Sequence, residues 1–354
     1  MSELATIRWG ILSTARIATK VADAIHATDG AEVTAVASRT SDRAAQWAAK
    51  HNVQRFYDDY QSLLTDEELD AIYIPLPPSM HAEWTIRCAE AGKHVLCEKP
   101  LAMNVSEAEE MAAACRENNV QLMDAVMWVH HPRATDMLKP IKDGSLGELR
   151  RVTTAFSFDI EPYLTTKPPH MAIDSETGQA TVESVKQHEL RFSKELGGGS
   201  LLDLGWYNVR VALWALSDLP RRVFAVARYR NDVDMNMNAM MWYDDERVVS
   251  FDCGYDMAHR KWFEVAGHVG SVVCDDFLVP WDLERPRFWR HEGVTSTEHV
   301  SASAVQEQCM VENLCNVIRS GELNTSWPQI TVANQRVCDA VAQSARTGQI
   351  VEIH

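Results

Sequence analysis

Residues 70–102 read DAIYIPLPPSMHAEWTIRCAEAGKHVLCEKPLA. The first part, DAIYIPL at 70–76, is the continuous apolar run of a strand buried on both faces. HAEWTIRCAEAG at 81–92 has helical spacing and closes on Gly92. HVLC at 94–97 is a second short apolar strand. Strand, helix and strand in so few residues make a crossover unit, whose two strands pair in parallel. The second strand then runs straight into Glu98, Lys99 and Pro100. Charged residues are seldom buried without a partner, and a Lys-Pro junction at a strand end is a stiff corner that can be cis. The corner is either a solvated turn or a cation placed on purpose, and the rest of the chain has to decide.

The same alternation extends in both directions. TIRWGIL (6–12) and EVTAVAS (32–38) read as strands; ARIATKVADAIHAT (15–28) reads as a helix with Ile17, Val21 and Ile25 on one face. SDRAAQWAAKH (41–51) is a helix with Ser41 as its expected N-cap, and SEAEEMAAACRENN (106–119) is another. VQLMDAVMW (120–128) is expected to be the last strand of the series. This is an α/β pattern, a doubly wound parallel sheet, which binds ligands at the carboxyl ends of its strands. Lys99 follows such an end.

Two other strand ends carry ligand signals. In GILSTARIA (10–18), Ser13, Ala15 and Ala18 stand at the three positions of the dinucleotide fingerprint, after Gly10 on the strand. All are small, so the turn Ser13-Thr14-Ala15, with Arg16 and Ile17 opening the helix, lets a pyrophosphate approach backbone at the helix N-terminus. An ordinary tight turn is the alternative. The next strand ends in Ser38 and Arg39, with no carboxylate. A carboxylate there would select the ribose hydroxyl of NAD, whereas a guanidinium accommodates a 2′-phosphate, so NADP is expected and NAD is the alternative.

Composition narrows the function classes. The chain has 354 residues, enough for two domains, and is 46% hydrophobic. With 34 basic against 50 acidic residues its formal charge is −16. That disfavours nucleic acid and anionic membrane surfaces as partners. No signal peptide or spanning helix is read. Eight scattered cysteines without a CxxC pair suggest reduced thiols in a cytoplasmic protein and no metal site.

After about residue 150 the alternation ends. Segments 149–160, 221–230, 237–245, 248–256, 261–276 and 298–303 read as strands, with hairpin signals at Asp244-Asp245 and Gly267. One helix, 200–217, interrupts them. The expectation is an α+β domain on an open, mostly antiparallel sheet, residues 129–354, following a first domain of residues 1–128, with the last helix able to pack back on the first domain. An open face needs cover, which predicts a homodimer or homotetramer through this sheet. Ser200 is the expected N-cap of the helix, and Asp203 would complete a capping box. Tyr207, four residues on, shares a helix face with Asp203.

GILSTARIA, LPPSMHAEWTIRCAEAGKHVLCEKPLA, GGGSLLDLGWYNV and QEQCMVENLCNVIRSGEL together resemble the glucose–fructose oxidoreductase/inositol dehydrogenase/MocA family over almost the full length. Within it, Tyr207 in place of a histidine looks most like the dimeric dihydrodiol dehydrogenase and D-xylose dehydrogenase branch. The resemblance implies an N-terminal Rossmann domain and an NAD(P)-dependent dehydrogenase or reductase acting on a sugar, cyclic polyol or diol. It implies that Lys99 is catalytic, that Asp203 helps bind substrate and that Tyr207 carries the proton. Glu98, Lys99 and Pro100, the last after a cis bond, would adjoin the cofactor. So would Leu76, Pro77 and His81, and Trp128 after the sixth strand. Three features depart from the family: Ser13 and Ala15 replace glycines, Val129 stands where an Arg is common, and the 159–196 connection is long. The connection is expected to form a lid or a subunit contact.

A free phenol titrates near ~10, so Tyr207 needs a cation to work near neutrality. One at about 4 Å supplies roughly 4 kcal/mol at an effective dielectric of 20. Lys99 is that cation, or is itself the proton carrier while Tyr207 positions the oxygen. The other readings are an NAD-dependent redox glycosidase and a non-catalytic NADP-binding sensor or scaffold.

Overall fold

The computed structural model describes residues 5–161, 171–173, 180–182 and 190–354. Its chain divides into two compact units, Met1–Ser145 with Leu278–Arg336, and Leu146–Phe277 with Val337–His354. Much of the expected lid at 159–196 lies outside the described residues.

The first unit begins with β1 (Ile7–Leu12), α1 (Arg16–His26), β2 (Ala31–Ala37), α2 (Ser41–Lys50), β3 (Arg55–Tyr57) and α3 (Tyr60–Leu64). It continues through β4 (Ala71–Ile74), α4 (His81–Glu90), β5 (His94–Cys97), α5 (Val105–Glu117), β6 (Leu122–Asp124) and α6 (Pro132–Lys142). The strands form one sheet in the order β3-β2-β1-β4-β5-β6, and all pairings are parallel. The order reverses between β1 and β4, the place where such sheets bind ligands. Trp9 and Ile11 of β1 are fully buried against Val21, Ala22 and Ile25 of α1. Gly10 between them is a packing glycine: a Cβ there would lie 2.8 Å from the side chains of Leu69 and Ile72.

Two local expectations are corrected. The last strand stops at Asp124, because its neighbour β5 ends at Cys97, opposite Asp124, and no ladder partner remains. Residues Met127–His130 form a 3₁₀ turn instead. Ser41 is the first helical residue of α2, and Thr40 takes the extended N-cap conformation with no side-chain cap.

The second unit holds β7 (Leu149–Ser157), a short antiparallel pair β8 (Met171–Ile173) and β9 (Ala180–Val182), and α7 (Trp206–Leu216). It adds β10 (Arg222–Arg230), β11 (Val233–Trp242), β12 (Val248–Gly254), β13 (Arg260–Gly267) and β14 (Gly270–Cys274). Within it the sheet runs β14-β13-β7-β12-β11-β10. Pairing is antiparallel except between β7 and β12. Along β11, buried Val233, Met235, Met237, Ala239 and Met241 alternate with more exposed residues, the period of a strand with one covered face. α7 is buried nearly all round, as a helix inside a domain must be. The other face keeps Phe224, Val226 and Met240 exposed.

The chain then forms the hairpin β15 (Arg287–Glu292) and β16 (Thr295–Val300), whose first strand sequence reading missed. It continues with α8 (Gln306–Ser320), α9 (Ser326–Thr347) and the edge strand β17 (Val351–Glu352), which pairs with β10. α8 supplies Met310, Val311, Leu314 and Cys315 to the core beside β1 and α1. No helix among the described residues is long and apolar enough to cross a membrane.

All eight cysteines are free; seven are buried and Cys309 is partly exposed. Burial pushes the thiols of Cys88, Cys97, Cys253, Cys315 and Cys338 up, and that of Cys115 to about 12, so both access and thiolate population are low there. An Ellman titration of the native protein is therefore expected to show one fast thiol, lost in Cys309→Ser, and all eight after unfolding.

Candidate active site

In the first unit the candidate residues gather where parallel strands end. Ser13, just after β1, has φ 138, a conformation that favours glycine and strains other residues by about 1–3 kcal/mol. The backbone thus keeps the glycine shape of the fingerprint although the residue is serine. Its Oγ accepts from Ala15 N at 3.1 Å. Ala15 is the extended N-cap of α1 and has no side-chain cap bond, so the first amides of α1 stay suited to an anion. Thr14 is half-buried, Arg16 exposed, and Ile17 is 42% exposed at the mouth of the turn.

After β2, Ser38 is buried and Arg39 exposed. Tyr60 of α3 stands between these two strand ends. Burial pushes its phenol up, while Arg39, Arg43 and a hydrogen bond with Ser13 pull it down. Arg43, one turn into α2, doubles the positive charge near Arg39. Sequence reading missed it, although the four-residue spacing from Arg39 was visible.

After β4 and β5, Leu76 is buried, Pro77 half-buried and His81 wholly buried. The Lys99–Pro100 bond is cis. Glu98 accepts from Tyr73 Oη at 2.6 Å and from the Lys99 amide at 3.2 Å. Burial pushes its carboxyl up, and the Tyr73 bond and the Lys99 charge pull against that. Lys99 is half-buried. Trp128 is only 1% exposed.

In the second unit, α7 is entered through a π turn, Leu201–Gly205. Such turns often mark functional sites. The expected capping box is not formed. Ser200 is already helical (φ −67, ψ −29) and makes no side-chain cap; its Oγ donates to Asp234 Oδ2 at 2.8 Å. Asp234, on β11, caps the turn instead, accepting from Leu201 N at 2.7 Å. That leaves Asp203 available: its Oδ2 accepts from Arg191 Nε at 2.6 Å and from Tyr255 Oη at 3.1 Å. Tyr255 Oη also reaches Gly199 O at 3.0 Å. Gly199 has φ +122, and a Cβ there would lie 2.2 Å from Asp234 Oδ1. The glycine run thus lets Asp234 approach the turn and frees Asp203 for its own partners. Tyr207 is 6% exposed and packs edge-on against Phe156, ring centroids 5.8 Å apart.

Lys99 therefore belongs to the first unit, and Asp203 and Tyr207 to the second. Arg191 and Tyr255 carried no motif signal, since their relation to Asp203 is purely spatial. Among the described residues no cluster of three or more His, Cys, Asp or Glu could hold a metal ion.

Residues 7–125 match the oxidoreductase family with NAD-binding Rossmann fold, and residues 136–273 match the GFO/IDH/MocA C-terminal domain. The chain is 31% identical to a dTDP-3,4-didehydro-2,6-dideoxy-alpha-D-glucose 3-reductase of Actinomadura kijaniata, covering 96% of both proteins. It is also 31% identical to a D-xylose 1-dehydrogenase (NADP(+)) of Haloferax volcanii, over 98% of this chain and 99% of the other. The crystal structure of a 3-ketoreductase from Actinomadura kijaniata with NADP and TDP-benzene superposes with a TM-score of 0.83 at 28% identity, over 96% of this chain and 98% of that one. That reductase was also solved with a lysine changed to alanine and with a tyrosine changed to phenylalanine.

Gly199→Ala is expected to destabilise the fold by at least about 1–3 kcal/mol, and Tyr255→Phe by about 1–3 kcal/mol for the lost buried hydroxyl bonds. Urea unfolding measures both, and a wild-type midpoint for either variant contradicts this account of the turn.

Proposed function

The chain belongs to the glucose–fructose oxidoreductase/inositol dehydrogenase/MocA family of oxidoreductases, and from that premise we propose that it is an NADP-dependent enzyme acting on a CH–OH or carbonyl carbon of a sugar or cyclic polyol. The observation that carries the reading is Lys99, placed at the carboxyl end of β5 beside the half-buried Glu98, whose carboxylate accepts from the Lys99 amide. The relatives named for a keto-sugar and for D-xylose support the substrate class.

The residues present fit NADP. The glycine-shaped turn at Ser13 and the open N-terminus of α1 suit a pyrophosphate. Arg39 and Arg43, with no carboxylate at the end of β2, suit a 2′-phosphate. Bound there, the nicotinamide supplies or accepts the hydride. Lys99 supplies fixed positive charge for the oxygen that gains or loses a proton. Tyr207 carries that proton, and Asp203, oriented by Arg191 and Tyr255, holds a substrate hydroxyl. Free thiols fit a reducing compartment, the cytoplasm.

The open face of the second unit, with Phe224, Val226 and Met240 exposed, is proposed as the contact between copies of the chain, since an apolar sheet face in water needs cover. Light scattering is expected to give at least twice the chain mass, and Val226→Glu with Met240→Glu to shift it to the monomer. A wild-type monomer rules this contact out.

A panel of sugars and polyols, followed by absorbance of reduced cofactor with NADP and NAD side by side, tests the activity. Lys99→Met and Tyr207→Phe are each expected to lose at least about tenfold in turnover with NADPH affinity within about threefold. Arg39→Ala is expected to weaken NADP by about tenfold or more, as a lost charged hydrogen bond does, and to leave NAD unchanged. Full turnover in Lys99→Met refutes the assigned role.

A further inference from the structure

Three of the four residues of β4 are alanine or isoleucine; the other is Tyr73, which is 0% exposed. Its ring lies in the core cluster that holds Trp9 and Ile11 of β1 and Met310, Val311 and Leu314 of α8. A phenylalanine would fill that space equally well, so packing does not account for the hydroxyl. The hydroxyl donates to Glu98 Oε1 at 2.6 Å, just beyond β5, within the range of a bond to a carboxylate. The other carboxyl oxygen, Oε2, lies 3.2 Å from the Lys99 amide. The strand ladder sets this geometry. Tyr73 stands opposite Leu96, and Glu98 N donates to Ile74 O at 3.1 Å, which carries the ladder one residue past Cys97. Tyr73 and Glu98 therefore leave the same face of the sheet.

We propose that Tyr73 is a positioning residue for Lys99 that acts through Glu98: the phenol grips one oxygen of the carboxylate and so turns the other onto the Lys99 amide. The role rests on the reading of Lys99 as the catalytic cation, and it adds to that reading the group that orients the main chain there. Tyr73 is wholly buried and acts only through the carboxylate. The groups that bear on Glu98 come from three places. Burial pushes its carboxyl up; Tyr73 of β4 pulls it down, as do the charge and the amide of Lys99, and Asp124 at the end of β6 pushes it up. The net direction is up, so Glu98 gains its proton at a higher pH than an ordinary glutamate does. The grip needs an acceptor at both oxygens. It is complete above that pH and is lost as the pH falls through it. Removing the phenol takes away a donor that favours the charged form, which moves the loss to a still higher pH.

Two measurements test this. NMR of the wild-type protein over pH, read at the Glu98 carboxyl carbon, the Tyr73 ring carbon bearing the hydroxyl and the Lys99 amide, is expected to give one shared midpoint. A Tyr73 or Lys99 signal that stays flat while Glu98 titrates overturns the proposal. So does a Glu98 still protonated at about pH 8, where even fully buried carboxyls begin to ionise. In Tyr73→Phe the midpoint, and with it the acid limb of turnover, is expected to move up by about one pH unit, the worth of one charge-assisted hydrogen bond; an unmoved midpoint refutes the grip. In a Glu98→Gln background the same Tyr73→Phe change has no carboxyl to act on and should leave the pH profile where it is, whereas an equal shift in both backgrounds counts against the proposal. If Lys99→Met keeps full turnover, the function assigned to Lys99 fails, and the titrations still judge the grip. If Tyr73→Phe does not fold, the shared midpoint of the wild-type protein decides.

Discussion

A sheet in which all six strands run the same way has a single edge where every strand releases its chain. That constraint places Ser13, Arg39, Leu76, Lys99 and the residues after Asp124 along one border, although up to about 110 residues of sequence separate them. None of these positions needs a special interaction to bring it there. The apolar runs of β1, β4 and β5 must be buried on both faces, and burial forces the crossovers that make the strands parallel. The candidate chemistry is downstream of hydrophobic patterning.

The border residues then have to be held individually, and the first unit does so mostly through backbone. Ser13 keeps a glycine conformation. Glu98 turns back on the amide of Lys99 and takes a bond from Tyr73. A long, flexible lysine loses entropy when it is fixed. The Glu98 carboxylate, which accepts from the Lys99 amide, restricts the main chain from which that side chain extends.

The fold class was legible because it depends on period and run length, which are local properties. Lys99 and the Asp203–Tyr207 pair drew notice in the sequence because they sit in compact motifs. What escaped was whatever depends on contact between distant segments. Asp234 lies 34 residues from Ser200, so the capping box suggested by Ser200 and Asp203 gave way to a carboxylate that only the folded sheet delivers. Arg191 and Tyr255 meet at Asp203 from opposite sides in sequence. β6 ended early for a reason invisible in its own residues, the length of its neighbour β5.

The replacement of the cap has a chemical consequence. An ionised Asp203 one helical turn from a phenol opposes its deprotonation. A carboxylate serving as a helix cap would be spent on the backbone and would still carry its charge toward Tyr207. Here Asp234 takes over the cap, and the guanidinium of Arg191 pairs with Asp203 at 2.6 Å, which sets a positive charge against that of the carboxylate. One glycine, at position 199, makes the exchange sterically possible.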